Sequence, residues 1–320
     1  MGVVHAIRHH SFGPADVLRL EELPDLEPGP GELRIAVEAA GVHLIDTAIR
    51  SGGGFAGGPS PTLPVVPGRE VAGVVDRVGE GVDDRLLGIS VVAHLGPAGG
   101  GYAEQAVVAA ERAYPVPAGI DAPTAVATIG TGRTAAAILE LAAVVPEDVA
   151  AVTSGAGGLG LLLLQGVRNA GATAVGLAGG ADKVALVAGT GAAGIDYRAA
   201  DWRQRLRAHE PLTVVFDGVG GEIGRELYDA LAPGGRLVRY GWASGEQNAY
   251  DDPGRPVLDV LGPGLFARIE HFERAALAAA ADGTRVPYVG TLLPLQRAAD
   301  AHRALETRSS VGKVVLVVSR

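Results

Sequence analysis

One stretch of small residues, 155–160, fits the pattern G-x-G-x-x-G. Where this pattern joins a strand to a helix, the glycines allow a tight turn, and the helix N-terminus presents free amide groups to a pyrophosphate. The pattern alone is weak here, because 48 of the 320 residues are glycine and roughly one match is expected by chance. The residues that would form the binding turn are Gly155, Ala156, Gly157, Gly158, Leu159 and Gly160.

The surrounding sequence separates this turn from two other stretches that fit the same pattern. Residues 52–57 have no strand before them and are soon followed by a proline, and residues 189–194 end a predicted helix instead of opening one. The turn at 155–160 follows a buried strand predicted over 149–154 and opens an apolar helix predicted over 159–170. The sequence therefore predicts a dinucleotide site at this turn, with a plain tight turn as the alternative.

The end of the next predicted strand bears on which dinucleotide is bound. An NAD site usually places a carboxylate there, about 20 residues after the glycines, to bind the ribose hydroxyls. Here the strand ends without a charged side chain at Gly179, and Lys183 follows within reach of a 2′-phosphate. This favours NADPH, with a solvated helical lysine as the alternative for Lys183. Asp182 is the residue that could instead supply the missing acid.

Charge and composition exclude several classes of protein. Lys and Arg number 27 against 36 Asp and Glu, a net charge of −9 without any long charged run, which argues against nucleic acid or an anionic membrane as a partner. Cysteine is absent, so disulfides, thiolate zinc sites and cysteine nucleophiles are excluded. The chain has neither a basic segment followed by an apolar one at its start nor a run of about 18 apolar residues. We therefore expect a soluble cytoplasmic protein.

The pattern of predicted elements changes near residue 122. Before it, short β-rich runs alternate with clusters of proline and glycine, which is typical of a partly open barrel with long loops. After it, strands alternate with helical stretches, including long ones over 125–144 and 269–281, which is typical of a doubly wound parallel sheet in an α/β protein. A last strand over 314–318 is expected to return to the first domain. The early β-rich runs are 33–39, 71–78, 90–94 and 102–108.

Several short stretches together resemble the zinc-independent quinone reductases, the zeta-crystallin-like family of the medium-chain dehydrogenase/reductase superfamily. Each stretch is weak by itself, but their order and spacing match the family over nearly the whole chain. They lie at 12–14 (FGP), 40–47 (AGVHLIDT), 49–52 (IRSG), 67–73 (PGREVAG), 78–82 (VGEGV), 101–104 (GYAE), 157–160 (GGLG), 196–198 (DYR) and 312–315 (GKVV).

The resemblance implies two domains with a cofactor cleft between them. The first is a GroES-like, partly open β-barrel that binds substrate, over 1–122 and completed by 287–320. The second is a Rossmann domain that binds NADPH, over 123–286. Members of this family usually form homodimers through the edge of the Rossmann sheet, and residues 235–244 are the expected edge here.

The resemblance also assigns cofactor contacts to individual residues. Lys183 and Tyr197 would meet the 2′-phosphate, beside the strand end at Gly179. Lys313 either contacts the cofactor, closes the cleft or is a surface lysine. Loops at the carboxyl ends of later strands would line the ribose and the nicotinamide, as expected in such sheets. Their residues are Gly218, Val219, Tyr240, Gly241 and Trp242.

The positions that bind catalytic zinc in metal-dependent relatives carry other residues here. Those relatives have a cysteine near position 43 and a His-Glu pair near 69 and 70, where this chain has His43, Arg69 and Glu70. Arginine cannot ligate a metal, and its fixed positive charge repels one. Because His43 and Glu70 leave at most two ligands, no metal site is expected.

Without a metal, the resemblance implies direct hydride transfer from NADPH to an electron-poor small molecule, either a quinone or the activated C=C of an enone or enoyl compound. His43 is the candidate that donates a hydrogen bond or a proton to the acceptor oxygen, with a packed or solvated histidine as the alternative. Asp46 is the second candidate catalytic residue, although its helical spacing to Arg50 also favours an ion pair. An NADPH-binding protein with little turnover is the alternative function.

The expected acceptor pocket departs from the family pattern. Ala48 stands where many members have a tyrosine that binds the acceptor, so we expect a reshaped pocket. Tyr102, Tyr240 and Trp242 are the remaining rings on which a flat quinone could stack. Phe55, in a glycine-rich loop, is a candidate lid residue.

Overall fold

A computed structural model describes residues 2–53, 58–260, 262 and 267–318, so the candidate lid residue Phe55 lies outside the described residues. None of the described helices is long and apolar enough to cross a membrane. The strands are β1 (Val3–Arg8), β2 (Arg19–Pro24), β3 (Glu32–Val42), β4 (Glu70–Val78), β5 (Ser90–His94), β6 (Gln105–Ala109), β7 (Ala113–Pro115), β8 (Val149–Val152), β9 (Thr173–Ala178), β10 (Ala193–Asp196), β11 (Leu212–Asp217), β12 (Leu231–Arg239), β13 (Val257–Asp259), β14 (Val289–Pro294) and β15 (Lys313–Val317). The α-helices are α1 (Leu44–Arg50), α2 (Ala122–Ala127), α3 (Arg133–Ala142), α4 (Gly158–Asn169), α5 (Ala181–Gly189), α6 (Trp202–Arg207), α7 (Gly221–Asp229), α8 (Ile269–Ala281) and α9 (Ala298–Glu306).

The chain divides into two compact units, Met1–Gly130 with Tyr288–Arg320, and Thr131–Pro287. The first boundary falls after Gly130 and not after residue 122, because α2 packs on β3 and β4 of the first unit. The single helix predicted over 125–144 is in fact two α-helices, separated by a π-helix over Thr128–Gly132. Two glycines in that stretch weaken the α-helical preference of the chain.

The first unit is built around the long strand β3. This strand pairs antiparallel with β4, β6 and β15, in a sheet that runs β14-β15-β3-β4-β5-β7. Its apolar residues, such as Ile35, are buried in one core with Val71 of β4 and Leu316 of β15. The last strand therefore returns to the first unit, as the sequence predicted. Its register sets Val314 opposite Val42, which brings Lys313 next to the end of β3.

The second unit contains a parallel sheet in the order β10-β9-β8-β11-β12-β13. This is the order 3-2-1-4-5-6 of a Rossmann fold, and it reverses between β8 and β11. The strands are buried on both faces, with residues such as Val152, Leu177 and Phe216 fully inaccessible. Helices cover both faces, so the sheet is doubly wound, as predicted. In such a sheet, ligands bind at the carboxyl ends of the strands where the order reverses.

The edge of the second sheet differs from the prediction. The expected edge, residues 235–244, overlaps β12, but β13 pairs with β12 on its outer side through Val257 and Leu258. β13 is therefore the edge among the described strands, and the predicted edge is wrong. A strand of three residues is too short to show a periodic pattern in the sequence.

Candidate functional site

The glycine-rich turn lies between β8 and α4. The Gly155 N–H donates to the Leu177 carbonyl of the neighbouring strand at 2.8 Å, so the turn is bonded to the sheet. A Cβ at Gly160 would lie 2.3 Å from the Ser154 carbonyl oxygen, so the helix can pack this closely on the turn only with glycine at that position. Gly157 is the N-cap of α4 and has no side chain to cap the first turn, which leaves the amides there for an anion.

The ends of β9 and β10 bring Tyr197 and Arg198 together at the predicted glycine. A Cβ at Gly179 would lie 2.7 Å from Tyr197 Oη and 2.8 Å from Arg198 Nε. Asp196 Oδ1 accepts the N–H groups of Gly180 and Arg198, both at 3.0 Å, and these bonds lower the pKa of its carboxyl. The carboxylate at this strand end therefore holds the loop amides.

Lys183 lies in the first turn of α5, beside the same strand end. Burial lowers the pKa of Lys183, and the nearby positive charge of Arg198 lowers it further. Two cationic side chains therefore lie close to this strand end. Asp182, the residue that could have supplied a ribose-binding acid, is exposed. Sequence reasoning singled out Lys183 and Tyr197 but missed Arg198. A signal was present, because Arg198 belongs to the stretch 196–198 that carries the family resemblance.

Asp217, at the end of β11, organises the loop that follows. Its Oδ1 accepts the N–H groups of Val219 and Gly220 at 2.9 and 3.1 Å and the hydroxyl of Thr153 at 3.1 Å. The Thr153 Oγ1 in turn accepts the N–H of Gly218 at 2.9 Å. Because Asp217 and Thr153 are both buried, this network fixes the loop at the carboxyl edge of the sheet.

The residues that follow β12 lie against that loop. A Cβ at Gly218 would lie 2.2 Å from the ring of Tyr240, and the Tyr240 hydroxyl donates to the Thr153 carbonyl at 3.1 Å. Burial raises the pKa of Tyr240 well above its ordinary value. The structure thus brings Gly218, Tyr240 and Gly241 together, whereas the side chain of Trp242 is 45% exposed.

A second polar cluster lies in the first unit, where His43 forms the N-cap of α1. Asp46 Oδ2 accepts the His43 N–H at 2.8 Å, and Asp46 Oδ1 accepts from Arg69 Nε at 3.1 Å. Asp46 is 3% exposed, so its carboxylate fixes the start of the helix. The predicted ion pair between Asp46 and Arg50 is wrong. In the first helical turn the carboxylate turns back toward the N-terminus, and Arg50 binds Glu306 instead.

Three side chains meet beside this helix. His43 Nε2 lies 2.6 Å from Glu70 Oε2 and 2.7 Å from Lys313 Nζ, and Lys313 Nζ lies 3.0 Å from Glu70 Oε2. Space for the Glu70 carboxylate exists because two neighbours are glycine. A Cβ would lie 1.5 Å from Glu70 Oε1 at Gly130 and 2.3 Å from Glu70 Oε2 at Gly41. Lys313 is 4% exposed, so the surface alternative for this lysine is wrong.

Burial and charge act in opposite directions on this cluster. Burial tends to raise the pKa of Glu70, but the neighbouring His43 and Lys313 outweigh it and hold that pKa well below its ordinary value. Burial lowers the pKa of Lys313, although Glu70 opposes this. Burial also lowers the pKa of His43, with Glu70 opposing and Lys313 reinforcing the change. Glu70 is therefore a buried anion with Lys313 as its cation.

Tyr102 contacts the cluster from the core of the first unit. It is fully buried, with its hydroxyl 3.4 Å from Asp46 Oδ2 and 3.2 Å from Nε2 of the buried His302. The prediction that Tyr102 could stack a quinone is therefore wrong, because the ring lies in the core. Sequence reasoning missed His302. Its place in the i, i+3, i+4, i+7 stripe from Ala298 to Leu305 is the signal that could have revealed its burial.

A β-rich unit completed by the C-terminal strand, together with a Rossmann unit that has a glycine turn at its switch point, defines the architecture of a medium-chain dehydrogenase/reductase. Comparison with known proteins agrees. Residues 29–118 match the alcohol dehydrogenase GroES-like domain family, and residues 190–316 match the zinc-binding dehydrogenase family.

Full-length relatives specify the family. The chain is 30% identical to 2-haloacrylate reductase of a Burkholderia species, covering 98% of this chain and 99% of that protein. It is 31% identical to quinone oxidoreductase 1 of Escherichia coli, covering 97% and 98%. The crystal structure of an Escherichia coli quinone oxidoreductase complexed with NADPH superposes with a TM-score of 0.85 at 28% identity, covering 98% of this chain and 99% of that one. The chain belongs to the quinone oxidoreductase family of oxidoreductases within this superfamily.

One of the matching family descriptions names zinc, but the residues of this chain do not fit that metal. The Lys313 ammonium lies 2.7 Å from His43 Nε2 and 3.0 Å from Glu70 Oε2, where it would repel a second cation. A catalytic zinc needs about three protein ligands. Within the described ranges, no three His, Asp or Glu side chains converge as such a set.

Proposed function

We propose that this protein is an NADPH-dependent, zinc-free reductase that transfers a hydride to a quinone or to the activated C=C of an enone or enoyl compound. The observation that carries the proposal is the strand end at Gly179, where Lys183, Arg198 and Tyr197 stand next to a glycine turn open to phosphate. This arrangement suits a dinucleotide with an additional phosphate on its ribose.

The residues of the second unit have separate tasks in binding the cofactor. The turn 155–160 and the first amides of α4 would hold the pyrophosphate, and the two cations with the Tyr197 hydroxyl would hold the 2′-phosphate. The loops after β11 and β12 would line the ribose and the nicotinamide. NADPH, when bound, supplies the hydride, so the protein needs to position the acceptor and to stabilise the negative charge that develops on its oxygen.

The first unit supplies the polar group for the acceptor. His43 is 23% exposed at its side chain, whereas Asp46, Glu70 and Lys313 are buried. We assign to His43 the contact with the acceptor oxygen and to Asp46 the task of fixing the helix that begins at His43. Asp46 is then a positioning residue and not a residue that touches the acceptor.

Two substrate classes fit one mechanism. Both a quinone and an activated alkene accept a hydride at an electron-poor carbon and place negative charge on an oxygen. The relatives include a quinone oxidoreductase and a 2-haloacrylate reductase, and these names support a quinone and an activated alkene as candidate acceptors. We therefore propose the step that both classes share, which is hydride transfer to an electron-poor carbon with negative charge developing on an oxygen.

The test is the loss of NADPH absorbance with a panel of quinones, enones and haloacrylates. We expect turnover of at least one class, and turnover at least tenfold slower in His43→Ala with NADPH affinity unchanged. Tight NADPH binding with no acceptor reduced would contradict the proposal and support a binding protein with little turnover.

We also propose that the chain forms a homodimer through β13, the edge strand of the Rossmann sheet among the described strands. An edge strand offers unpaired backbone groups to a second copy. Light scattering at micromolar concentration is expected to give twice the chain mass of 32.4 kDa. A monomer would contradict this assembly.

A further inference from the structure

We propose that Lys313 is a positioning residue that takes the place of a metal ion in this site and holds His43 as a neutral imidazole beside the anionic Glu70. The inference rests on the proposed function only in that His43 serves the acceptor. Its basis is the closed triangle of 2.6, 2.7 and 3.0 Å between His43 Nε2, Glu70 Oε2 and Lys313 Nζ.

The fold builds this triangle from three distant parts of the chain. His43 follows β3, Glu70 begins β4, and Lys313 begins β15, which pairs with β3 beside His43. Glu70 has no exposed surface, and it fits only because Gly41 and Gly130 lack side chains. The pairing of β15 with β3 therefore places the Lys313 ammonium beside the buried Glu70 carboxylate.

Charge counting identifies which group is neutral. Lys313 already balances Glu70, so a protonated His43 would add a second positive charge 2.7 Å from the ammonium. Two other groups also act on this cluster, since Asp46 raises the pKa of His43 and His94 lowers the pKa of Glu70. Asp46 of α1 is paired with Arg69, Tyr102 is buried with a raised pKa, and His94 of β5 accepts from Gly96 N–H through its Nδ1.

Removal of the Lys313 charge would raise the pKa of His43, because Lys313 is one of the groups that lower it. Glu70 Oε2 would keep its contact with His43 Nε2 at 2.6 Å, which favours a protonated imidazole beside the carboxylate. Because Lys313 donates to His43 Nε2, the neutral ring carries its proton on Nδ1, and this N–H is the one that can donate to the acceptor oxygen. The proton that completes the reduced product then comes from solvent.

The test is an NMR titration of His43 in the wild type, in Lys313→Met and in Lys313→Arg, with the resonance assigned by its loss in His43→Asn. We expect the pKa of His43 to lie below 6.5 in the wild type, to rise in Lys313→Met, and to be lowered again in Lys313→Arg. The rate constant kcat/KM should depend less on pH near neutrality in the wild type than in Lys313→Met, because the His43 pKa lies further below neutrality in the wild type.

Two results would overturn the inference. One is a wild-type His43 that titrates at or above 6.5, which needs no variant and so is decisive even if Lys313→Met fails to fold. The other is a folded Lys313→Met whose His43 titrates as in the wild type. Because the titration requires neither NADPH nor an acceptor, its outcome is separate from the outcome of the turnover test of the proposed function.

Discussion

His302 and Tyr102 extend the polar cluster of the first unit into its core. The Tyr102 hydroxyl lies between Asp46 and His302 Nε2, and Arg50 approaches His302 Nδ1 at 3.4 Å. A neutral imidazole has one N–H and one acceptor nitrogen, so it can accept from Arg50 and donate to Tyr102 at the same time. Tyr102 can then donate to Asp46, which positions His43. The contacts around the candidate site therefore depend on His302 remaining uncharged.

Stability is expected to fall in acid through His302. Burial lowers its pKa from 6.5 to about 4, so the unfolded chain takes up a proton at a pH where the folded protein does not. The contribution is fully present above pH 6.5 and is lost as the pH falls from 6.5 toward 4. Its size is about 3 kcal/mol, from 1.36 kcal/mol for each of the 2.5 units between 6.5 and 4.

Urea unfolding at pH 7 and pH 4 checks this prediction. The wild type should lose about 3 kcal/mol more of its free energy of unfolding than His302→Gln, whose side chain cannot be charged. The exposed His10→Gln is the matched control and should behave as the wild type. Parallel losses in the wild type and His302→Gln would show that His302 does not contribute.

At the scale of elements, the turn from β8 to α4 makes a prediction about cofactor binding. Gly157 has an extended backbone that valine can adopt, and a Cβ there would meet only Ser154, at 3.2 Å. Gly157→Val should therefore fold, but its side chain would cover the amides of the first turn. We expect the dissociation constant for NADPH to rise at least tenfold, measured by calorimetry.

Gly189 provides the control for this variant, because it belongs to residues 189–194, which fit the same glycine pattern but do not open a helix. A Cβ at Gly189, at the end of α5, would meet nothing within 4 Å. Gly189→Val should leave NADPH affinity unchanged. If both variants weaken NADPH binding equally, or if neither variant weakens it, this turn is not the phosphate site.

The ends of β9 and β10 predict cofactor selectivity. If Arg198 binds the 2′-phosphate, Arg198→Ala should weaken NADPH about tenfold or more and leave NADH affinity unchanged. Arg205→Ala is the control, because Arg205 is exposed and paired with Asp201 on α6. A similar loss for NADPH and NADH in Arg198→Ala would show that Arg198 does not distinguish the two cofactors.

The strands and helices of the second unit were easier to predict from the sequence than those of the first unit. Buried parallel strands and amphipathic helices carry strong periodic signals, and the helix predicted over 269–281 has the bounds that the structure shows. The π-helix at Thr128–Gly132 and the edge strand β13 were missed because neither has a distinct sequence period. The position of the glycine turn between a strand and a helix was predicted from its context and not from its pattern, and the structure shows β8 before it and α4 after it.

At the scale of the whole molecule, sequence analysis identified residues but not their partners. His43, Glu70 and Lys313 were each singled out from the sequence. Their contact depends on the register of β15 on β3, which brings together His43 and Lys313, 270 residues apart in the sequence. Asp46 was paired with Arg50 by helical spacing, whereas Arg69 from another strand binds it. Long-range contacts of this kind follow from the tertiary fold and leave no local pattern.

The central claim is that the second unit binds a dinucleotide that carries a 2′-phosphate. Titration of the wild-type protein with NADPH and with NADH under identical conditions tests it most directly. The account predicts a dissociation constant for NADPH at least tenfold below that for NADH. Tighter binding of NADH, or no binding of either, would contradict it.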